Sequence, residues 1–220
     1  QTCALPISAF AHEGVAVACA PAGPGISWSP DGTVGVILDG DDHDHAAVEL
    51  ASAWAGTGAA ALAKVAAPFR AVVIDRRRRE VVVCNDPHGL GRVFIHGTED
   101  HLFFATSGRA LLAILPATRR FDPQGLAEYI AVGCALQDRT LYAGIRALPP
   151  GAAWSLTPEG EVRPARHFTP ENWESLEPLP PDEYNLRLFE AFAPALERCL
   201  GDGADTALSL TGGLDSRAVL

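Results

Sequence analysis

The strongest constraint on the fold is a series of short apolar segments separated by turn residues. Four of them are β-branched or aromatic: residues 72–74, 81–83, 93–95 and 102–104. Such short, regularly interrupted segments predict antiparallel strands packed in layers and argue against a chain of βαβ units. Apolar residues at helical spacing over 46–63, 111–115 and 123–130 add helices. The sequence therefore predicts an α+β domain, in which helices cover antiparallel strands.

Composition narrows the class of protein. The chain has 220 residues, 48% of them hydrophobic, and a formal net charge of −10. This acidity argues against nucleic acid and anionic membrane as partners, because both require a basic surface. No apolar run reaches the roughly 20 residues that span a bilayer, and no signal peptide is legible. We therefore expect a cytoplasmic protein. The composition is also compatible with a homodimer.

The cysteines support the same compartment. Five are scattered without paired spacing, which favours reduced, buried thiols over disulfides or a zinc site. They are Cys3, Cys19, Cys84, Cys134 and Cys199.

Two shorter clusters have ordinary structural explanations. Arg76 to Arg79 lie between two predicted strands, and flanking Asp75 and Glu80 favour an exposed hairpin turn. The acidic and histidine-rich residues 41–45 are predicted to form a loop, with Asp44 capping a helix that starts at His45.

The composition changes after residue 160. Prolines and acidic residues over 169–181 indicate a linker, and Asp182 is a candidate N-cap for a helix reaching about Leu200. One face of that helix carries Leu186, Phe189, Phe192 and Leu196. Residues 182–220 are then the beginning of a second domain, too short to be stable alone.

The most specific motif lies near residue 220. Residues 206–210 are apolar and predict a buried strand, followed by Thr-Gly-Gly-Leu-Asp-Ser at 211–216 and the start of a helix. Two glycines let the backbone approach a ligand, and a helix start favours a phosphate. Asp215 is an oxygen ligand suited to Mg²⁺. The pattern differs from the common phosphate loop, because no lysine follows the glycines.

Motifs along the chain resemble asparagine synthetase-type amidotransferases, in the family's order. Residues 211–216 are similar to the Ser-Gly-Gly-x-Asp-Ser loop of ATP-pyrophosphatases. Residues 69–75 resemble the family's Phe-Ala-x-x-x-x-Asp strand, and residues 85–94 its Arg-Asp-x-x-Gly-x-x-Pro-Leu-Tyr segment. Further matches lie at residues 104–112, 125–130, 140–145, 148–151 and 167–168.

This resemblance implies a fold and a domain order. Residues 9–168 would form a glutamine amidotransferase type 2-like domain, an Ntn-type glutaminase-like α/β/β/α sandwich that lacks its N-terminal part. Residues 182–220 would begin an α/β ATP-pyrophosphatase domain. The implied reaction is adenylation of a small-molecule or peptide carboxylate (aspartate in the family's main members), with ATP and Mg²⁺ as cofactors and nitrogen from glutamine or ammonia.

The resemblance also implies site residues. For ATP they are Leu210, Thr211, Gly212, Gly213, Asp215 and Ser216, with Asp215 holding Mg²⁺ through ATP. For glutamine they are Asp39, Gly40, Asp41 and Asp44, a degenerate set, because Asp39 replaces the family's oxyanion-hole Asn. Arg217 is expected either to add a phosphate contact or to be a solvated first-turn residue.

The catalytic residue of the glutaminase reaction is missing from this set. In the family the nucleophile is an N-terminal cysteine whose own amine is the base, and neither Cys3 nor Cys19 fits that place. Two alternatives stay open: a lasso-peptide cyclase or β-lactam synthetase-like amide former with a degenerate glutaminase domain, and a non-catalytic scaffold or binding protein on this fold.

The first and last residues carry a separate expectation. Residues 1–7 match a translated DNA-sequencing adapter, so residues 1–8 are interpreted as a scar outside the fold, with Cys3 part of it. We expect a fragment truncated at both ends, without synthetase activity of its own.

Overall fold

A computed structural model describes residues 8–12, 15–19, 25–40, 43–66, 68–98, 101–200 and 207–219. Residues 1–7 of the proposed scar, with Cys3, lie outside the described residues, as does Asp41. The chain divides into two compact units, residues 1–172 and residues 173–220.

Eleven strands and six α-helices are described. The strands are β1 (Ser8–His12), β2 (Val15–Cys19), β3 (Ser27–Trp28), β4 (Val34–Gly40), β5 (Phe69–Asp75), β6 (Glu80–Asn85), β7 (Phe94–Gly97), β8 (Leu102–Ala105), β9 (Arg146–Ala147), β10 (Ala153–Leu156) and β11 (Val162–Arg163). The helices are α1 (His43–Thr57), α2 (Gly108–Ile114), α3 (Pro123–Val132), α4 (Glu171–Glu174), α5 (Pro181–Leu200) and α6 (Leu214–Ala218).

A six-stranded antiparallel sheet is the centre of the first unit. Its order is β11-β10-β6-β5-β4-β3, and a second sheet has the order β8-β7-β9. The Val- and Ile-rich segments form β5 and β6, and the turn between them holds Arg76 to Arg79 as predicted. Asp75 fixes that turn, because its buried carboxylate accepts the N–H groups of Arg77 and Arg78. Burial opposes ionisation of Asp75, but the hydrogen bonds from both arginines hold its pKa below the usual value.

The two faces of the six-stranded sheet are both covered. On one face Val36, Val73 and Val82 pack against the buried Leu50 and Trp54 of α1. On the other face Ile37, Val72, Ile74, Val81 and Val83 meet residues of the second sheet, including Ile95 and Phe104. α2 packs on β7 and β8. The first unit is therefore a helix–sheet–sheet–helix stack, which confirms the predicted layered antiparallel α+β domain.

Helix boundaries follow local chemistry in most places. Asp122 caps α3 by accepting the Gln124 N–H at 3.2 Å, and Gly133 ends it in the left-handed region at φ 82°. The predicted helix over 46–63 is α1, continued by a 3-10 helix at Gly58–Lys64. The prediction that Asp44 caps α1 is wrong: the helix begins at His43, so Asp44 already lies in its first turn.

The second unit departs from the prediction at its strand. α5 reaches Leu200 as expected, and α4 lies within the predicted linker. The prediction that Asp182 is the N-cap of α5 is wrong, because the helix begins at Pro181 and Asp182 lies in its first turn. The strand predicted over 206–210 is wrong for residues 207–210, which are irregular and exposed. A strand needs a neighbour to pair its backbone groups, and the described part of this unit contains no other strand. The ATP-pyrophosphatase domain remains a prediction.

Candidate functional site

Two of the predicted glutamine-site residues lie where β4 ends. Asp39 pairs in register with Arg70, and Gly40 with Phe69 at the start of β5. A Cβ on Gly40 would lie 2.8 Å from the Pro68 carbonyl oxygen, so only glycine fits this close approach. Asp41 lies outside the described residues. Asp44 is exposed on α1.

Asp39 is held in an ion pair. The Arg70 Nη2 lies 2.5 Å from the Asp39 Oδ2, and Arg70 Nε donates to the same oxygen at 2.7 Å. The two side chains are 30% and 43% exposed, so the pair is partly shielded from water. Arg70 therefore compensates the charge of Asp39, which has no donor to offer a developing oxyanion.

Asn85 is the last residue of β6 and Asp86 follows it, at the same end of the sheet as Asp39 and Arg70. Asp86 is fully buried. Its carboxylate accepts backbone N–H groups from Gly91 at 2.6 Å, His88 at 2.9 Å, Leu90 at 3.3 Å and Phe69 at 3.4 Å. Four donors around one carboxylate fix the path of the 86–91 loop, so this aspartate is a structural anchor.

Other matched segments connect to the same loop. Gly151 donates its N–H to the Asp86 carbonyl oxygen at 2.9 Å, and His167 donates its own to the Gly151 oxygen at 2.8 Å. The His167 Nε2 lies 2.9 Å from the Asn85 carbonyl oxygen. The segments at 69–75, 85–94, 148–151 and 167–168 thus interlock. These contacts hold the first unit together around the 86–91 loop.

Sequence reasoning missed Arg70 as the partner of Asp39. The two residues are 31 positions apart, and only the β4–β5 register brings them opposite each other. Opposite charges on two neighbouring predicted strands are the sequence signal for such an ion pair, but the sequence alone does not fix the register that brings them together.

The cysteines differ in environment. Cys84 is buried, which raises the pKa of its thiol to about 12. The prediction that Cys134 is buried is wrong, because it is exposed just beyond the C-cap Gly133 of α3. Of the remaining thiols, Cys19 ends β2 and Cys199 lies in α5.

The predicted ATP loop lies in the second unit and is exposed. The Thr211 and Ser216 hydroxyl oxygens are 3.0 Å apart, Thr211 N–H donates to Ser216 Oγ at 3.1 Å, and Gly213 N–H donates to Thr211 Oγ1 at 3.2 Å. Arg217 donates from Nε to the Gly213 oxygen and from Nη2 to the Gly212 oxygen, at 3.1 and 3.0 Å. Residues 211–217, which include the start of α6, are thus closed on themselves by these bonds and are called the 211–217 turn below.

The chemistry of this turn fits a magnesium–nucleotide group. Gly212 leaves open space, since nothing lies within 4 Å of the position of a Cβ. The two hydroxyls and the Asp215 carboxylate are oxygen groups suited to phosphate and Mg²⁺. In the described residues no three His, Cys, Asp or Glu side chains group to hold a metal ion. A metal here would therefore need ligands from the nucleotide besides Asp215.

Comparison with protein families gives the class. Residues 45–168, more than half of the chain, match the glutamine amidotransferase domain family. The chain belongs to this family. The match begins after Asp39, Gly40, Asp41 and Asp44, and it ends at Phe168, before the 211–217 turn.

Solved structures give a weaker likeness. Glutamine phosphoribosylpyrophosphate amidotransferase from B. subtilis, complexed with ADP and GMP, is 14% identical with a TM-score of 0.43; the alignment covers 66% of this chain and 32% of that one. A structure described as the allosteric regulatory enzyme of purine biosynthesis gives 14%, 0.43, 66% and 31% for the same quantities. The chain spans about a third of the length of both. No curated protein matches the sequence.

The helices of the described residues give one further result. None of them combines the length and the apolar character needed to cross a bilayer.

Proposed function

We propose that this chain belongs to an ATP-dependent amide-forming ligase of the asparagine synthetase type. Such an enzyme adenylates a carboxylate, releases pyrophosphate and joins the acyl group to nitrogen from glutamine or ammonia. The glutamine amidotransferase class of residues 45–168 supports the nitrogen-transfer half of this reaction.

The observation that carries the proposal is the order of two features along one chain. A glutamine amidotransferase domain ends at residue 168, and the Thr-Gly-Gly-Leu-Asp-Ser turn follows at residues 211–216. The turn is exposed and its two hydroxyls already face each other, so it offers oxygen groups to a ligand without rearranging a core.

Each residue of the turn has a defined part in the proposal. Leu210, 55% exposed, would contact the adenine side of ATP. Thr211, Gly212, Gly213 and Ser216 would hold phosphate oxygens, and the Asp215 carboxylate would hold Mg²⁺. ATP supplies the adenylyl group. The chain positions the phosphates and, with the metal, neutralises their charge. Arg217 would keep the turn closed through its bonds to the two glycine carbonyls.

Isotope exchange tests the proposal. In the complete gene product, Asp215→Ala should abolish carboxylate-dependent exchange of labelled pyrophosphate into ATP, whereas Glu190→Ala, an exposed acid on α5, should leave it unchanged. Exchange near the unmodified rate in Asp215→Ala would sink the role of this residue. Failure of the unmodified protein to exchange with any carboxylate would favour the non-catalytic scaffold.

The Asp39–Arg70 pair favours a second candidate, an amide former of the lasso-peptide cyclase or β-lactam synthetase kind. In such an enzyme the attacking amine belongs to the substrate, and glutamine hydrolysis is dispensable. An acceptor-only Asp39 in the oxyanion position would cost more than the two to three orders of magnitude that losing one donor typically costs. We therefore expect weak glutaminase activity even if a nucleophilic cysteine precedes this chain.

Glutamate release tests the position assigned to Asp39, on which the second candidate rests. Asp39→Asn in the complete gene product should raise glutamine hydrolysis, and Asp39→Asn with Arg70→Gln should raise it at least as far, because no unpaired arginine remains. Arg163→Gln, which removes an exposed arginine from β11, is the control. Brisk hydrolysis by the unmodified protein, or no change in either variant, would show that Asp39 is outside the oxyanion hole.

A further inference from the structure

A second feature of the first unit lies apart from Asp39 and Arg70: a cavity of about 640 Å³ beside β7, α2 and α3. Three arginines line it, and among the described residues no acidic side chain does. A positively charged cavity is unexpected in a chain with a net charge of −10. Its principal side chains are Arg92, Arg109, Arg139, Tyr129, Tyr142 and Cys134.

Two of the arginines have no acidic partner among the described residues. Arg92 and Arg109 are both exposed, and neither guanidinium makes an ion pair or hydrogen bond in the part of the chain that the structure describes. Phe94 connects the two segments that carry them: a Cβ on Gly108 would lie 3.6 Å from its ring, so the start of α2 rests on β7. Arg92 precedes Phe94 by two residues, and buried Val93 lies between them.

The third arginine belongs to a rigid wall. Arg139 Nη2 lies 2.6 Å from the Glu128 Oε1, and Leu136 N–H donates to the other oxygen of Glu128 at 2.8 Å. Arg139 Nη1 also donates to Gln137, which has the left-handed φ of 58° that non-glycine residues rarely adopt. These contacts fix residues 136–139 and neutralise Arg139, so the net positive charge of the cavity comes from Arg92 and Arg109.

Aromatic side chains form part of the remaining surface. Phe94, Tyr129 and Tyr142 line the cavity, and the Tyr142 ring stacks on Phe121 at 5.6 Å between centroids. Polar groups that fix orientation on a mostly apolar wall are typical of a small-molecule site. The combination fits a molecule with an acidic group and a flat or apolar body.

We propose that this cavity binds a small organic anion. Arg92 and Arg109 hold its carboxylate or phosphate group by charge-assisted hydrogen bonds, and Phe94 and Tyr129 contact its body. The site shares no residue with the Asp39–Arg70 pair or the 211–217 turn, so it stands whether or not the amide-forming reaction is correct.

Calorimetry on the 220-residue chain tests the site. The probes are phenyl phosphate and benzoate, with benzyl alcohol as the neutral analogue. We expect at least one of the two anions to bind, with one molecule per chain. Its affinity should fall as the salt concentration rises, and benzyl alcohol should not bind. The preferred anion distinguishes a phosphate from a carboxylate ligand.

Arg92→Gln and Arg109→Gln should each weaken binding about tenfold or more, since a hydrogen bond to a charged group contributes about 1.5–3 kcal/mol. Arg166→Gln, an exposed arginine outside the cavity, should change nothing.

Cys134 gives a second readout in the unmodified protein. Its thiol lines the cavity, so the bound anion should slow its alkylation by iodoacetamide, followed by peptide mass mapping. Absence of binding by both anions at millimolar concentration overturns the proposal. So does equal binding by the Arg92→Gln/Arg109→Gln double variant, or binding that leaves Cys134 alkylation unchanged.

Discussion

Two loops of this chain each combine glycines with one aspartate, and they use it in opposite ways. In the 86–91 loop the aspartate is Asp86, which is fully buried and accepts four backbone N–H groups. In the 211–217 turn it is Asp215, which is exposed, while Thr211 and Ser216 satisfy the loop instead. Both resemble family motifs, yet only the second leaves its carboxylate available to a ligand.

The difference shows that a motif match does not by itself identify a functional residue. Removing a buried carboxylate that accepts several hydrogen bonds lowers stability, because the buried donors lose their acceptor and water cannot reach them to replace it. An exposed carboxylate costs little, because water replaces what is lost. Stability measurements on matched variants of the two loops therefore separate residues that hold the fold from residues available for chemistry.

The largest effect is expected at Asp86. Asp86→Ala leaves four N–H groups without this acceptor, and two of the lost bonds, those of Phe69 and Gly91, are buried. Each buried group left unpaired costs about 1–3 kcal/mol. The free energy of unfolding should therefore fall by about 3 kcal/mol or more, measured by urea denaturation of the 220-residue chain. Asp86→Asn should also destabilise, because one oxygen becomes a donor facing other donors. A loss below about 1 kcal/mol in Asp86→Ala would contradict the anchoring role.

A smaller effect is expected from the paired glycines. A Cβ on Gly91 would lie 2.0 Å from the Phe69 carbonyl oxygen, whereas a Cβ on Gly212 would meet nothing within 4 Å. Forcing an atom into a packed site typically costs about 1–3 kcal/mol, so Gly91→Ala should lower the free energy of unfolding by at least this much. Gly212→Ala should change it little. Equal thermal midpoints for the two variants would show that the backbone at Gly91 yields without cost.

The sequence predicted the parts of the fold that local pattern controls. The β-branched runs of β5 and β6, the turn fixed by Asp75, and α3 between Asp122 and Gly133 all carry local signals. The two-residue strand β9 carries none, because it pairs with Phe94 and Ile95 of β7, far away along the chain. β11 is equally short and becomes a strand only by pairing with β10. The strand expected at 206–210 shows the opposite case: its apolar pattern is typical of a strand, but residues 207–210 have no strand to pair with among the described residues.

The candidate site divides in the same way. Asp39 and Gly40 were predicted from a motif. The ion pair with Arg70, which compensates the charge of Asp39, depends on the β4–β5 register and was not predicted. The arginine-lined cavity was missed, because Arg92, Arg109 and Arg139 come from three separate segments. Only tertiary packing brings them to one surface.

A modest, pH-dependent effect is expected at Glu128, a carboxylate intermediate between the two loops in burial. Hydrogen bonds from Arg139, and then from the Leu136 N–H, lower the pKa of Glu128 to about 2 from its ordinary 4.5. A carboxyl group with a lowered pKa stabilises the fold above the unfolded pKa and loses this contribution as pH falls through the folded one. The stability difference between the unmodified protein and Glu128→Gln should thus shrink between pH 4.5 and about 2.

Glu161 provides the control for that experiment. It pairs with Arg163 on the surface, where both side chains are more than half exposed. Water and salt weaken such a pair, so Glu161→Gln should change the acid unfolding curve less than Glu128→Gln. Urea midpoints at pH 7, 4 and 3 compare the two variants. A larger effect at Glu161 would mean that the contacts to Leu136 and Arg139 do not hold in solution.

The smallest effect on stability is expected at Asp215, and it completes the comparison with Asp86. The structure gives the Asp215 carboxylate no hydrogen bond within the turn, whose closure depends on Thr211, Ser216 and Arg217. Asp215→Ala should therefore keep the free energy of unfolding within about 0.5 kcal/mol of the unmodified value. Ser216→Ala removes the hydroxyl that Thr211 contacts and should cost more than Asp215→Ala. If Asp215→Ala proves the more destabilising of the two, the carboxylate holds the turn itself, and loss of pyrophosphate exchange in that variant would no longer indicate a contact with Mg²⁺.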